Sequence, residues 1–229
     1  MDPKIFYEKL FAEFGDLDWW PMDHLYHKEN NSDPRFEVII GAILTQNTSW
    51  SNVEKTIDKL KRNRVLDIDS LASLDEVKLK DLIRSSGFFN QKANRLKNIC
   101  KIFKNRYDSN LDLFFDNKIS KIRTELLKIN GIGPETADSI ILYAGGKPIF
   151  VVDAYTKRVC KRIPFPVENS YEDIQKYFQS NLKQYYKGKK LTEVYNQLHA
   201  LIVELAKNYC KTKPICNNCP LKKDCSFSK

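Results

Sequence analysis

A glycine-cornered turn and a single carboxylate lie close together in the middle of the chain. Gly131, Ile132 and Gly133 are followed by Pro134, a residue that the first turn of a helix tolerates. Glycines can adopt positive φ angles, so backbone N–H groups of this turn can approach an external anion at the positive end of the next helix. An apolar run then ends in Asp153. This order predicts a phosphate anchor followed by an acid, although an αα-hairpin with an acidic N-cap shows the same pattern.

A second group of reactive side chains lies near the end of the chain. Four thiols occur within sixteen residues, at Cys210, Cys216, Cys219 and Cys225. Structural zinc usually takes two close pairs of cysteines, whereas here only the middle two are close. The wrapped spacing favours an iron–sulfur cluster and leaves zinc as the alternative. With four protein ligands the metal has no open position for substrate, so we expect it to be structural.

The two other cysteines and the composition indicate an ordinary globular protein. Cys100 and Cys160 stand alone in helical patterns and are expected to be packing residues. The chain has 229 residues, 42% of them hydrophobic, and no apolar run approaches a membrane span. Its start lacks the pattern of a signal peptide, so we expect a cytoplasmic protein that is not bound to a membrane. The net charge of +9 suits a polyanionic partner but also simple solubility.

The elements that must position these groups are helical. Asp2-Pro3 and Asp33-Pro34 each predict a helix start, and Gly15 predicts the end of the first helix. The second of these helices is apolar and ends at the polar stretch Thr45 to Thr48. A last long helix is predicted from Thr192 to about Tyr209. With no convincing strand or repeat, the fold class is predicted to be all-α.

One predicted helix, from Lys92 to Arg106, combines an apolar face with six basic residues. Its apolar residues keep helical spacing, so we expect this face to dock inward and the cations to point outward. The basic residues are Lys92, Arg95, Lys97, Lys101, Lys104 and Arg106. Either a solvated face or contact with a nucleic-acid backbone would explain them.

Several motifs in this order resemble one family. LLKINGIGPETA followed by VVDAYTKRV resembles the helix-hairpin-helix DNA glycosylases of the endonuclease III superfamily, and GAILTQNT and SGFFNQKANRL extend the likeness from about residue 16 to 225. WWP, LTQNT, SGFFNQKA, GIGPETAD and VVDAY are most similar to the 3-methyladenine glycosylases of endonuclease III type. The C-terminal cysteines resemble the [4Fe-4S] loop of endonuclease III, whose first interval is normally six residues where this chain has five.

The resemblance implies an architecture and a set of site residues. It implies two helical domains, which we place at residues 33–145 and at residues 1–32 with 146–229, with Asp153 as the catalytic acid. The base pocket would be formed by Trp19, Trp20, Pro21 and Trp50, with a paired or carbamylated Lys207 at its edge. Trp19 or Trp20 could equally be a core residue of the loop.

The same resemblance implies how double-stranded DNA with a damaged base would be held. Gln46 is the candidate to fill the hole left by the extruded base, unless it only caps its helix end. Phe88 or Phe89, after Gly87, would wedge the duplex. The backbone of Gly131, Ile132 and Gly133 would hold a phosphate, and a monovalent cation is possible at the hairpin carbonyls. Asp138 is expected to cap or pair locally.

One departure from the bifunctional enzymes of this family sets the expected reaction. They carry a nucleophilic lysine two residues after the second glycine, where this chain has Glu135. A carboxylate cannot form a Schiff base, so we expect a monofunctional glycosylase. The resemblance implies alkylated purines as its substrates, and we expect the protein to be a monomer. The alternatives are an endonuclease III-like enzyme for oxidised pyrimidines or mismatched bases, and a non-catalytic module that binds damaged DNA.

Overall fold

A computed structural model describes residues 1–228 of the chain, and within them it contains thirteen α-helices and no strand. The helices are α1 Pro3–Phe14, α2 His24–Glu29, α3 Pro34–Leu44, α4 Trp50–Arg62, α5 Ile68–Ser73, α6 Glu76–Leu82, α7 Phe89–Tyr107, α8 Leu111–Phe115, α9 Ile119–Leu127, α10 Pro134–Ser139, α11 Ala154–Arg162, α12 Tyr171–Tyr185 and α13 Gly188–Asn208. Short 3₁₀ turns span Arg84–Ser86 and Ser226–Ser228, and a π-helical turn, Ile140–Ala144, continues α10. The predicted all-α class is confirmed.

Local sequence explains where several helices begin and end. The side chains of Asp2 and Asp33 accept N–H groups of the first turns of α1 and α3, and each is followed by proline at the first helical position. Gly15 ends α1 at φ 72°, a conformation that costs glycine little. The last helix begins at Gly188, earlier than the predicted Thr192, and ends at Asn208.

The chain divides into two compact units. The first, which we call the terminal unit, contains Met1–Trp19 and the chain from Gly146 onward. Here α13 packs against α1 and α11, and α1 packs against α12. Aromatic rings fill the core: Phe150 stacks on Phe178 with centroids 4.9 Å apart, and Phe6 meets the edge of Phe165 at 5.2 Å. The segment Ile149–Val152, which leads into α11, is buried in this unit.

The second unit, which we call the central unit, is Trp20–Gly145. Its centre is α3, every residue of which from Phe36 to Leu44 is buried. This helix packs against α4, α7 and α10 with its π-helical extension. The sequence analysis placed the first boundary between the two domains at residue 33, whereas residues 20–32 belong to the central unit. In this segment the buried His27 binds Glu37 of α3.

None of the helices described in residues 1–228 combines the length and the apolar character that crossing a membrane requires.

Candidate active site and nucleic-acid interface

Asp153 is the N-cap of α11 and projects from a buried apolar segment. Its side chain is 13% exposed. One carboxylate oxygen, Oδ1, accepts hydrogen bonds from Thr156 N at 2.6 Å and from Thr156 Oγ1 at 2.8 Å. The local sequence therefore fixes the carboxylate by an ordinary capping arrangement and commits only one of its two oxygens to it.

The other oxygen of Asp153 faces a histidine of α13 that the sequence analysis missed. Oδ2 lies 3.6 Å from Nε2 of the buried His199, a distance for an ionic contact and too long for a hydrogen bond. Burial raises the pKa of the Asp153 carboxyl, but His199 and the two bonds from Thr156 outweigh it and hold that pKa below its usual value. The site thus keeps a negative charge that can stabilise a developing cation.

The glycine turn between α9 and α10 has the geometry expected of a phosphate anchor. Gly131 has φ 86°, and both glycines are exposed, whereas the Ile132 side chain is buried. The Ile132 N–H donates to Ile129 O at 3.0 Å and so closes the turn itself. Within residues 1–228 the N–H groups of Gly131 and Gly133 donate to no protein acceptor. The two glycines, and not Ile132, therefore offer donors to an anion.

Gln46 is bonded to this hairpin. Its Nε2 donates to Gly131 O and to Thr136 Oγ1, each at 2.9 Å, and its Oε1 accepts a hydrogen bond from Arg95 Nη1. Arg95 also lies so close to Gly131 that a Cβ atom there would overlap its guanidinium. Gln46 must release three hydrogen bonds before it can enter a duplex. Gln46 donates to the Gly131 carbonyl, and no observation in residues 1–228 supports the predicted hairpin cation.

The turn before α7 presents one of its two phenylalanines. Phe88 has a left-handed backbone, φ 47° and ψ 31°, and is 60% exposed. A bulky residue in this conformation is strained, and such strain is concentrated at functional positions. Phe89 is partly buried, with the Arg84 guanidinium 5.0 Å from its ring centroid. Of the two phenylalanines predicted to wedge the duplex, Phe88 is the more exposed.

The basic residues of α7 do not all point outward as the sequence suggested. Lys92 is completely buried, and its Nζ donates to Leu44 O and Ser86 O. Lys97 donates to three backbone carbonyls at the end of α5 and in the residue that follows it. The expectation was wrong for these two lysines because helix-end carbonyls need donors and recruit the nearest long cationic side chains.

The residues predicted to form the base pocket fall into two groups. Trp20, Pro21 and Trp50 line one cavity of about 720 Å³ in the central unit, with the two tryptophans edge to face at 5.3 Å. Trp20 packs directly over Gly41, where a Cβ atom would come within 3.1 Å of the indole. Trp19 belongs to the terminal unit, where Lys207 Nζ lies 5.7 Å from its ring centroid.

Lys207 is paired, as one form of the prediction required. Its Nζ lies 3.3 Å from Glu204 Oε1 on the same helix, and both side chains are substantially exposed. Because this ion pair is exposed to solvent, it offsets the charge of Lys207 only weakly.

The cavity beside Trp20 also carries acidic residues that the sequence analysis did not single out. Glu37 is 7% exposed, and its carboxylate binds His27 Nε2 at 3.0 Å, Lys61 Nζ at 2.9 Å and the backbone N–H of Asp23 at 3.2 Å. Burial raises the pKa of Glu37, but its bonds to His27 and Lys61 lower it further than burial raises it. The sequence analysis missed Glu37 because it lies within the otherwise hydrophobic stretch Phe36 to Leu44 of α3.

Asp138 forms a structural ion pair, in agreement with the local role expected of it. It is fully buried and accepts Arg123 Nε at 2.7 Å. This pair joins α9 to α10 on either side of the hairpin and so helps to fix the turn.

The four C-terminal cysteines line one small cavity of about 20 Å³. Burial raises the pKa of the Cys219 thiol, and the three other thiols raise it further. Arg162 Nη1 donates to Cys210 Sγ at 3.2 Å, and Arg158 Nε donates to Cys210 O at 2.8 Å. No group of three potential ligands in residues 1–228 is already arranged as a metal site. The donor set nevertheless fits a thiophilic metal, because four thiols converge on one cavity beside two cations.

Cys100 and Cys160 are both buried, as their helical patterns indicated. Burial raises the pKa of the Cys160 thiol to about 12, so this thiol stays protonated and packs as an apolar group.

Comparisons with known proteins give a consistent result. Residues 40–184 match the family model for the HhH-GPD superfamily base excision DNA repair protein. A candidate DNA repair glycosylase of Methanocaldococcus jannaschii is 44% identical over 96% of this chain and 93% of its own length. Endonuclease III of Rickettsia felis is 34% identical over 96% of this chain and 93% of its own. The solved structure of the H. pylori 3-methyladenine DNA glycosylase bound to 1,N6-ethenoadenine is 27% identical, with a TM-score of 0.73, over 90% of this chain and 98% of that one.

Proposed function

The chain belongs to the HhH-GPD superfamily of base excision DNA repair proteins, and from this premise we propose that it is a monofunctional DNA glycosylase that releases alkylated purines. Asp153 carries the proposal, because it is a shielded carboxylate whose lowered pKa keeps it ionised and whose Oδ2 is not committed to a cap. Such a group stabilises positive charge on a deoxyribose as its base departs.

The proposed reaction is hydrolysis at the sugar C1′ carbon. The bond from C1′ to the base nitrogen breaks, and its electron pair leaves with the base. A water oxygen forms the new bond to C1′, and Asp153 orients this water and accepts its proton. An alkylated purine that carries a positive charge leaves as a neutral base, so no acid is needed to protonate it.

The cavity beside Trp20 supports alkylated purines as the substrate class. Two indoles provide flat apolar surfaces for an extruded base, and the cavity lining has four carboxylates against two lysines, Lys55 and Lys61, so its net charge is negative. A cationic base gains from both features, whereas a neutral pyrimidine gains little from the carboxylates. The similar H. pylori enzyme is a 3-methyladenine glycosylase, which agrees with this assignment.

The hairpin and the turn before α7 are proposed to hold and open the duplex. The N–H groups of Gly131 and Gly133 would bind a phosphate of the lesion strand, with Arg95 adjacent to the turn. Phe88 would enter the base stack, and Gln46 would leave the hairpin to fill the space of the extruded base.

The proposal excludes a covalent step through the hairpin. Glu135 follows Pro134 at the start of α10, where a lysine would be needed to form a Schiff base. We therefore expect no borohydride-trapped complex with abasic DNA.

Cys210, Cys216, Cys219 and Cys225 are proposed to hold a [4Fe-4S] cluster. When bound, the cluster would cross-link the C-terminal loop. Arg158 and Arg162 hold this loop against α11 through Cys210 and would offset the negative charge of the thiolates. Iron and sulfide analysis of the purified protein, with its absorption spectrum, distinguishes this cluster from zinc.

A release assay over a panel of lesion duplexes tests the function. Each duplex contains one base: 3-methyladenine, ethenoadenine, an oxidised pyrimidine, or thymine opposite guanine. Release of the alkylated bases at least tenfold faster than the others would support the proposal. Preferred release of the oxidised pyrimidine would favour the alternative of an endonuclease III-like enzyme. The 34% identity with endonuclease III of Rickettsia felis supports that alternative. Binding without release of any base would leave a damaged-DNA binding module.

A further inference from the structure

Lys92 is a lysine whose ammonium group is buried between two backbone carbonyls. Its side chain is 0% exposed, and its Nζ donates to Leu44 O at 2.8 Å and Ser86 O at 2.6 Å. Within residues 1–228 its Nζ contacts two backbone carbonyls, and no carboxylate contributes to its electrostatic environment. Burial, together with the nearby charge of Arg95, lowers the pKa of Lys92 to about 8. An apolar side chain of similar length would fill this space without the cost of desolvating an ammonium group.

The two carbonyls that Lys92 binds each lie two residues before a side chain proposed to enter DNA. Leu44 is the last residue of α3, two residues before Gln46. Ser86 ends the 3₁₀ turn, two residues before Phe88. Carbonyls at helix ends need a donor from elsewhere, and here one ammonium group satisfies both of them. A single side chain therefore connects the two segments that carry the residues proposed to enter DNA.

We propose that Lys92 is a positioning residue that holds Gln46 and Phe88 at a fixed separation, so that both enter the duplex in one step. This inference rests on the proposed function. Each of the two segments is short and follows directly from a bound carbonyl, so a shift of either carbonyl moves the attached side chain by a similar amount. Misplacement by about 1 Å can reduce a reaction rate by two orders of magnitude.

The same helix offers a matched control. Lys97 also donates to backbone carbonyls, of Leu71 at 3.0 Å and Ala72 at 2.9 Å as well as of Leu74. These carbonyls lie at the end of α5 and in the residue that follows it, and no residue proposed to contact DNA belongs to this segment. Lys97→Met removes a carbonyl-binding lysine from α7 without touching either insertion segment.

The experiment compares Lys92→Met, Lys92→Arg and Lys97→Met with the unchanged chain. A duplex carries 2-aminopurine next to the lesion, so base extrusion is read by fluorescence and base release by single-turnover kinetics. We expect Lys92→Met to slow extrusion and release roughly 10- to 100-fold, with affinity for undamaged duplex unchanged, and Lys92→Arg to restore part of the loss. Lys97→Met should lower the melting temperature but keep both rates within about threefold.

Equal loss of rate in the two methionine variants, or a Lys92→Met rate within twofold of the original, would reduce Lys92 to a structural residue. If Lys92→Met does not fold, a double-mutant cycle of Gln46→Ala and Phe88→Ala tests the same coupling in the native background. Non-additive effects on extrusion are expected, and additive effects overturn the proposal. If no lesion base is released even by the unchanged chain, the glycosylase assignment fails, while the fluorescence signal still tests the coupling.

Discussion

Each of the two units contains a buried histidine beside a carboxylate, and the two pairs differ in how the carboxylate is used. In the central unit, His27 Nε2 lies 3.0 Å from Glu37 Oε2. In the terminal unit, His199 Nε2 lies 3.6 Å from Asp153 Oδ2. The first distance is a hydrogen bond and the second is not.

The remaining partners enlarge this difference. Glu37 also accepts the Asp23 N–H on Oε2 and pairs with Lys61 through Oε1, so both of its oxygens are occupied. Asp153 receives both of its short hydrogen bonds on Oδ1, from one residue of its own helix. In both cases the pKa is lowered against the effect of burial. A carboxylate with both oxygens bonded to the protein stabilises the fold, whereas a carboxylate held through one oxygen can also act in a reaction.

Asp153→Asn gives the largest effect expected in this comparison. The amide can still accept the Thr156 N–H, so the cap and the fold should persist, but the negative charge is lost. We expect base release to fall on the order of 10²- to 10³-fold with little change in duplex affinity. Single-turnover release and a binding titration on the same lesion duplex measure the two quantities. Retained release would mean that another group acts in place of Asp153.

Glu37→Gln should instead lower stability and leave base release nearly unchanged. It leaves Lys61 and His27 beside a neutral amide in a buried site, so the free energy of unfolding should fall by about 3 kcal/mol. Chemical denaturation measures this loss, and Asp153→Asn serves as the comparison. The two pairs would be equivalent if Glu37→Gln left stability intact and instead abolished release from every lesion tested.

His199→Phe should shift the dependence of release on pH. Without the imidazole, only the Thr156 bonds oppose the effect of burial on the pKa of Asp153. That pKa therefore rises, and the carboxylate is protonated at a higher pH. The acidic limb of the rate profile should move upward, so the loss of release should be largest at acidic pH and small near neutral pH. His27→Phe is the matched control and should leave the shape of that profile unchanged. An unmoved acidic limb in His199→Phe would show that His199 does not set the charge of Asp153.

The same change should alter stability in acid. Because the folded pKa of Asp153 lies below its ordinary value of 3.8, the stability it contributes is present above that pH and is lost as the pH falls through the folded pKa. In His199→Phe this contribution should disappear at a higher pH, which acid denaturation followed by circular dichroism would detect.

Thr156→Val is the smallest change expected. The side chain is fully buried and similar in shape to valine, and only the Oγ1 hydrogen bond to Asp153 is removed. A hydrogen bond to a charged acceptor is worth about 2 kcal/mol, so stability should fall by that amount at most, and release should fall only a few-fold. Loss of release comparable to that of Asp153→Asn would show that both oxygens are held for the reaction and would remove the proposed contrast.

Much of the fold followed from short-range patterns. Asp-Pro pairs marked the starts of α1 and α3, and Gly15 the end of α1. The all-α class and the family resemblance are confirmed as well. The assigned roles of Asp153, the hairpin and the cysteines remain predictions, although the structure places the four thiols on one cavity.

The differences between the expectations and the structure concern residues whose partners are distant in the sequence. Lys92 looked like one of six surface cations and is instead buried on the carbonyl of Leu44, 48 positions away. Gln46, for which the sequence left open both insertion into DNA and a local hydrogen bond, is bonded to the hairpin, 85 positions away. Residues 20–32 joined the central unit because His27 binds Glu37, a contact that composition alone does not reveal.

The sequence by itself determined where helices start, where glycine is required and which residues could act as an acid, a phosphate anchor or metal ligands. These features depend on caps and turns, which are formed by neighbours a few positions apart. The tertiary structure alone decided that His199 faces Asp153, that Phe88 and not Phe89 is exposed, and that one lysine binds two helix ends. Those outcomes depend on which faces of separate helices meet, and helix packing is set by the shapes of whole surfaces rather than by any short stretch of sequence.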